Sequence, residues 1–265
     1  MGSATQTPSY QAVNANIAND GSADSPRGYA VSSGASGYTF TATGASRVRY
    51  SAPSGGACYV TLPKTGIKAG VVYEVLVTGA TETNCVVVRS YGTNGTDGVE
   101  LGGVGYGRIG GEGKITVMAL VDTPAAQTDW TVTDVWESSY FTWIPATGAG
   151  SGANYGSAAT SRVARTNRNV CLTLSTSAVT LTTGTAATTA IATNAAALPL
   201  RFRPISSGKG VAVEVQEVST YSAGFTTVGT DGNYTFYKIN ESSWTSSVQC
   251  RLLGTAGFCI SYEMT

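Results

Sequence analysis

The sequence predicts an all-β protein: two small antiparallel β-sandwich domains of jelly-roll-like layout in tandem, behind an extended N-terminal arm. Three observations predict it. Short runs rich in β-branched and aromatic residues recur roughly every ten residues from position 46 onward, with Gly, Asn and Asp between them. No stretch repeats its apolar residues at the helical period. Charged residues make up only 12% of the chain while Gly contributes 33 of 265 residues, a composition suited to turns and sheets and short of solvated helical faces.

Residues 1–45 are Ala, Ser, Thr, Gly and Asn with few large aliphatics, too little apolar surface to fold alone. They are expected to form an extended arm that orders against something else. Residues 46–138 supply the first sandwich through "RVRYSA", "ACYVTLP", "VVYEVLVTG", "NCVVVRSYG", "KITVMALV" and "DWTVTDVW". Asn94-Gly95 and Asp97-Gly98 are hairpin-turn signals inside the glycine-rich loop 92–113. Residues 139–168 read as a Gly/Ala/Ser-rich linker that starts after Tyr140, Phe141 and Trp143 and ends with Arg162, Arg165 and Arg168. Residues 169–265 carry the second sandwich. In "VAVEVQEV", Val211, Val213 and Val215 share one face, the pattern of a half-buried antiparallel strand. "GFCISYEM" runs almost to the last residue, so the C-terminus is expected to close a sheet.

Several function classes are disfavoured by composition. Lys plus Arg equals Asp plus Glu at 16 each, which gives no field to draw nucleic acid or an anionic membrane. No apolar run approaches the roughly 18 residues of a membrane span, and the N-terminus has no signal-peptide pattern. The chain has no histidine, so a Ser-His-Asp triad cannot be built and the commonest general base and zinc ligand are missing. The Gly-x-Gly units of "GGVGYGRIGGEG" lack the following helix and Lys-Ser/Thr pair of a phosphate loop. Glu74, Glu112, Asp129, Asp134, Glu214 and Glu217 are available to a glycosidase, but nothing in the sequence pairs them. No enzymatic activity, cofactor or metal is expected. Cys58, Cys85, Cys171, Cys250 and Cys259 show no CxxC spacing. They read either as buried thiols acting as small hydrophobes or as one disulfide per half with an odd thiol left over.

The stretch "LPLRFRP" at 198–204 places Arg201 and Arg203 around Phe202 in a chain otherwise sparing of charge. Residues 198–265 resemble the C-terminal head domain of bacteriophage fibre proteins, both head fibres and tail fibres. The features that match are Leu198, Pro199, Arg201, Phe202, Arg203 and Pro204, an apolar strand at 211–218, a Gly-centred turn at Asp231-Gly232, and the terminal Ser261-Tyr262. The first half looks like a second module of such proteins: Leu62-Pro63, the "KTGIKAG" turn, "VYEVLV" and Trp130-Thr131-Val132. The cysteines and the length of the glycine-rich loop depart from that pattern.

The resemblance implies a homotrimeric virion protein, assembled in the bacterial cytoplasm and attached to other virion proteins through the arm. On that reading Phe202 enters the protomer core, while Arg201 and Arg203, on the opposite face of an extended strand, reach a neighbouring subunit together with Tyr262. Two solvated arginines guarding an edge strand are the alternative. In a jelly-roll-like layout the strands of Cys171 and Cys259 lie side by side, within bridging reach. Cys58 and Cys85 are the corresponding pair of the first domain, which leaves Cys250 free or paired across subunits. Tyr91, Tyr106, Tyr221 and Trp244 lie near turn-rich stretches and are candidates to stack on host-surface glycan. The expected function is a non-enzymatic short fibre or decoration protein on capsid, neck or tail. A receptor-binding adhesin is the alternative, and a polysaccharide depolymerase the distant third.

Overall fold

The computed structural model describes residues 30–33, 37–91, 100–102, 106–143, 145–146, 159–173, 179–182, 190–193, 198–206, 209–240, 242–245, 248–252 and 259–264. These residues are nearly all strand and turn, and the protein is all-β. The chain divides into two compact units, Met1–Val135 and Trp136–Thr265.

The first unit holds β1 (Ala30–Ser33), β2 (Gly37–Thr39), β3 (Arg47–Ser51), β4 (Cys58–Thr61), β5 (Val72–Thr78), β6 (Val86–Arg89), β7 (Arg108–Ile109), β8 (Glu112–Ala119) and the start of β9 (Trp130–Trp143). One sheet runs β1-β3-β5-β8 and the other β2-β4-β6-β7. The chain alternates between them, so that β1 pairs parallel with β3 and β3 with β5, while β2 pairs parallel with β4 and β4 with β6. Antiparallel pairing begins only at β5–β8 and β6–β7. The antiparallel sandwich expected for residues 46–138 is thus corrected to successive coils, each crossover between parallel strands passing through the facing sheet.

β5 shows why these residues take this form. Its burial alternates along VYEVLVT, with Tyr73, Val75 and Val77 facing the core. Tyr38, Phe40, Tyr73 and Trp130 form an aromatic row through that core, with successive ring centroids 5.1, 4.8 and 5.9 Å apart. Phe40 is fully buried, so the expected arm is shorter than residues 1–45: its last part, β1, β2 and Phe40, belongs to the first unit.

The second unit contains the rest of β9, then β10 (Pro145–Ala146), β11 (Ala159–Thr166), β12 (Asn169–Thr173), β13 (Val179–Thr182), β14 (Ala190–Thr193), β15 (Lys209–Glu217), β16 (Thr220–Val228), β17 (Tyr234–Lys238), β18 (Gln249–Leu252) and β19 (Cys259–Glu263). Its sheets are β9-β11-β12-β19 and β10-β14-β17-β16-β15-β18-β13, with antiparallel pairing throughout. The C-terminal strand closes the first of them. The expected linker 139–168 is corrected in part: β9 runs to Trp143, β11 occupies 159–166, and the units divide between Val135 and Trp136. Residues 147–158 of that segment lie outside the described residues.

Candidate functional site

"LPLRFRP" is not a strand. Pro199 sets an extended entry, and Leu200–Phe202 form a single 3-10 turn, with the Phe202 and Arg203 amides donating to the Pro199 and Leu200 carbonyls. A turn of that pitch does not alternate its side chains. Arg201 and Phe202 both point inward and are buried, which corrects the expectation that the two arginines share an outward face. The chain leaves along the C-terminal segment, where Pro204 bridges Met264 and the Ile205 amide donates to the Glu263 carbonyl.

Inside, Arg201 meets Glu137, a residue that sequence reasoning did not single out. Glu137 lies on β9 directly across from Arg165 of β11. Arg165 Nη2 sits 3.0 Å from Glu137 Oε2 and Arg201 Nη2 3.0 Å from Oε1, while the Ser139 hydroxyl donates to Oε1 at 2.7 Å. Glu137 and Arg165 are wholly buried, and Arg201 is 5% exposed. The Arg201 guanidinium lies 4.3 Å from the Phe202 ring centroid and that of Arg165 5.8 Å away, a cation–π arrangement in a dry setting. Two guanidinium groups thus share one carboxylate in the interior of a single chain.

The other parts of the motif converge on the same turn. The Tyr262 hydroxyl donates to the Phe202 carbonyl at 2.6 Å, and burial pushes its phenol pKa up. Arg203 is half-buried and its Nε donates to the Leu198 carbonyl at 3.1 Å. The Leu198 amide donates to the Gly232 carbonyl at 3.0 Å. Gly232 has φ +84°, and a Cβ there would lie 2.8 Å from both Leu198 O and Arg203 Nε, so glycine is required by conformation and by space. Arg201, Phe202 and Tyr262 are therefore internal, and the expected subunit interface does not fall on them.

Two sheet faces of the second unit remain open. On the outer face of β15-β16-β17, Phe225 and Tyr237 stack at 4.8 Å with their planes 15° apart. Tyr221 is 59% exposed beside a shallow depression of about 490 Å³ lined by Ala212, Glu214 and Ala223. Lys238, at the end of β17, pairs with Glu217 at 2.6 Å and lies over the ring of the fully buried Trp244. Burial opposes ionisation of Glu217, but hydrogen bonds from Lys238 and Thr245 override it and hold the carboxyl below its usual range. Cys250 is pushed up to about 12 by burial and then by the Glu217 charge, which makes it an inert thiol.

The outer face of β9-β11-β12-β19 is arranged in rows across the strands. Trp136, Thr166, Asn169 and Glu263 are successive register partners, as are Ser138, Ala164, Cys171 and Ser261. Tyr140, Arg162, Thr173 and Cys259 form the third row. The middle row is small, and a depression of about 380 Å³ opens over it and the first row. Trp136 is 44% and Tyr140 64% exposed. Cys171 and Cys259 are joined in a disulfide on this face, with Cα atoms 6.3 Å apart.

Cys58 and Cys85 are both buried and neither is in a disulfide, which corrects their expected pairing. Of the residues named for glycan stacking, Trp244 is enclosed, Tyr106 packs against the first unit's core, Tyr91 is half-buried and Tyr221 is exposed. Asn94, Gly95, Asp97 and Gly98 lie outside the described residues. Three of the six carboxylates have these structural partners: Glu112 accepts from the Gly79 amide, Asp129 from the Ala125 and Ala126 amides, and Asp134 from Lys114. Among the described residues no cluster of three or more His, Cys, Asp or Glu could hold a metal.

No family model matches the chain, and no curated protein sequence matches it. Among solved structures, the reovirus attachment protein sigma1, in complex with alpha-2,3-sialyllactose, is similar over 49% of this chain at 13% identity and a TM-score of 0.34. The match spans 66% of that neighbour's chain. At that level the likeness does not bear on this chain's function.

Proposed function

We propose that the chain is a non-enzymatic structural protein of a bacteriophage virion: a trimeric short fibre or decoration protein carried on capsid, neck or tail. One observation carries the reading. The three separated stretches that resemble fibre-head domains, "LPLRFRP", the Asp231-Gly232 turn and Ser261-Tyr262, converge on one buried turn through the Tyr262–Phe202, Arg203–Leu198 and Leu198–Gly232 hydrogen bonds. Short motifs scattered by chance have no reason to meet. Such a domain presents sheet faces to its neighbours, and the outer face of β15-β16-β17, with Tyr221, Phe225 and Tyr237, is the self-association surface. The segment ahead of β1 attaches to other virion proteins. A receptor-binding adhesin for host-surface glycan is the second reading, favoured by the exposed Trp136 and Tyr140 rings.

Antibody raised against residues 159–265 tests the virion reading. It is expected to label intact particles at regularly placed projections. Labelling confined to infected-cell lysate, with bare particles, overturns it.

A further inference from the structure

We infer that the outer face of β9-β11-β12-β19 is a binding groove for an uncharged oligosaccharide, with the rings of Trp136 and Tyr140 as its stacking surfaces. Residues 136 and 140 lie on the same face of one strand, so their Cα atoms stand roughly 13 Å apart, the span of a short oligosaccharide. Both rings are substantially exposed, at 44% and 64%, in a unit that buries Phe141, Phe202, Tyr234, Phe236 and Trp244. The C–H faces of a sugar ring carry a small positive charge and sit on the negative face of an aromatic ring, while the sugar's rim of hydroxyls needs donors and acceptors beside it.

The face supplies them. Thr166 and Asn169 continue the row that starts at Trp136, and both line the depression of about 380 Å³. Ser138, between the two rings on β9, and Ala164, its partner on β11, are small. Arg162 stands across from Tyr140, and its Nε donates to the Ser138 hydroxyl at 3.1 Å, which places a guanidinium donor between the two rings.

The chemistry of the lining selects the occupant. The buried core of a protein–protein interface is mostly apolar and depleted in Ser and Ala. Here the residues between the rings are Ser, Ala, Arg and Thr, and among the described residues of this face nothing aliphatic larger than Ala faces outward. One guanidinium, Arg162, and one carboxylate, Glu263, balance across the face, so the sugar that fits is neutral. The Trp136 and Tyr140 rings are not among the residues that carry the virion reading, and a chain that binds no sugar leaves that reading standing.

The test uses the full-length protein on an array of neutral and anionic oligosaccharides, followed by titration calorimetry with the best neutral binder. The wild type is expected to bind at least one neutral oligosaccharide. Trp136→Ala and Tyr140→Ala are each expected to weaken it about tenfold or more, since each removes a whole stacking surface. Ala164→Arg keeps both rings and fills the floor, and is expected to weaken binding to a similar degree. It separates loss of the groove from loss of packing under Trp136, and circular dichroism checks that each variant is folded. Leu120→Ala, at an exposed position of the first unit with no part in either surface, is expected to bind as the wild type does. Absence of any neutral binder, binding of anionic sugars alone, or affinity indifferent to Tyr140→Ala and Ala164→Arg overturns the assignment.

Discussion

Replacing Glu137 with alanine removes the carboxylate that pairs with both Arg165 and Arg201. Neither guanidinium can turn to solvent, because Arg165 is wholly buried and Arg201 is 5% exposed. Breaking one buried ion pair by deleting a partner costs about 3–5 kcal/mol, chiefly for the charge left behind. Glu137 serves two cations and the Ser139 hydroxyl, so the upper end, about 5 kcal/mol, is expected. Against a usual margin of about 5–15 kcal/mol, the loss takes a third of the second unit's stability or all of it. Urea denaturation followed by tryptophan fluorescence reads it as a midpoint lowered by roughly 2 M or more. The triple replacement Glu137→Leu, Arg165→Met, Arg201→Met is expected to recover most of the loss, since apolar groups of similar size need no compensating charge. A Glu137→Ala variant within about 1 kcal/mol of wild type refutes the reasoning, as does a triple variant no better than the single.

The Cys171–Cys259 bond closes a loop of 88 residues. Reduction, or Cys171→Ser, is expected to cost about 4 kcal/mol on the loop-entropy estimate, read by calorimetry with and without reductant. Deleting residues 1–29 is expected to leave the melting temperature of the first unit unchanged. Deleting 1–45 takes Phe40 out of the aromatic row and is expected to cost at least about 3 kcal/mol, as Phe-to-Ala core changes do. Glu217 has a depressed folded-state pKa, so its contribution to stability is present above the usual carboxylate value near pH 4.5 and is lost as pH falls through the lower folded value. Glu217→Gln is therefore expected to flatten the acid side of the stability profile, compared by melting at pH 3–7. On the proposed assembly the wild type is expected to be a trimer in light scattering, and Phe225→Arg on the outer face of β15-β16-β17 a monomer with its fold intact by circular dichroism.

The β character of the chain was legible because strand residues alternate one buried face with one exposed face, as β5 and β8 do. Parallel pairing in the first unit was not legible, for two physical reasons. Parallel strands usually announce themselves by apolar runs buried on both faces, whereas β3 alternates exposed and buried residues like an antiparallel strand. The coils also differ in length: Ala30 pairs with Val48 and Arg47 with Glu74 on one sheet, Gly37 with Tyr59 and Cys58 with Val86 on the other. No fixed period therefore appears in the sequence. The direction of Arg201 was misread because alternation assumes a strand, and prolines at 199 and 204 framed a 3-10 turn instead. Glu137 was missed because a single glutamate in "DVWESSYF" carries no sign of its partners, which the sheet register and a distant turn bring to it. Trp136 and Tyr140 stood in plain view, but their shared outward face depends on β9 continuing through the stretch read as the start of a linker.

Quantitative mass spectrometry of purified particles of a phage whose genome is found to carry this sequence tests the proposed virion role most directly. The account predicts that the chain is present after stringent purification, at a fixed number of copies per particle divisible by three. Absence from particles that are otherwise complete, or an amount that varies with each wash, contradicts it.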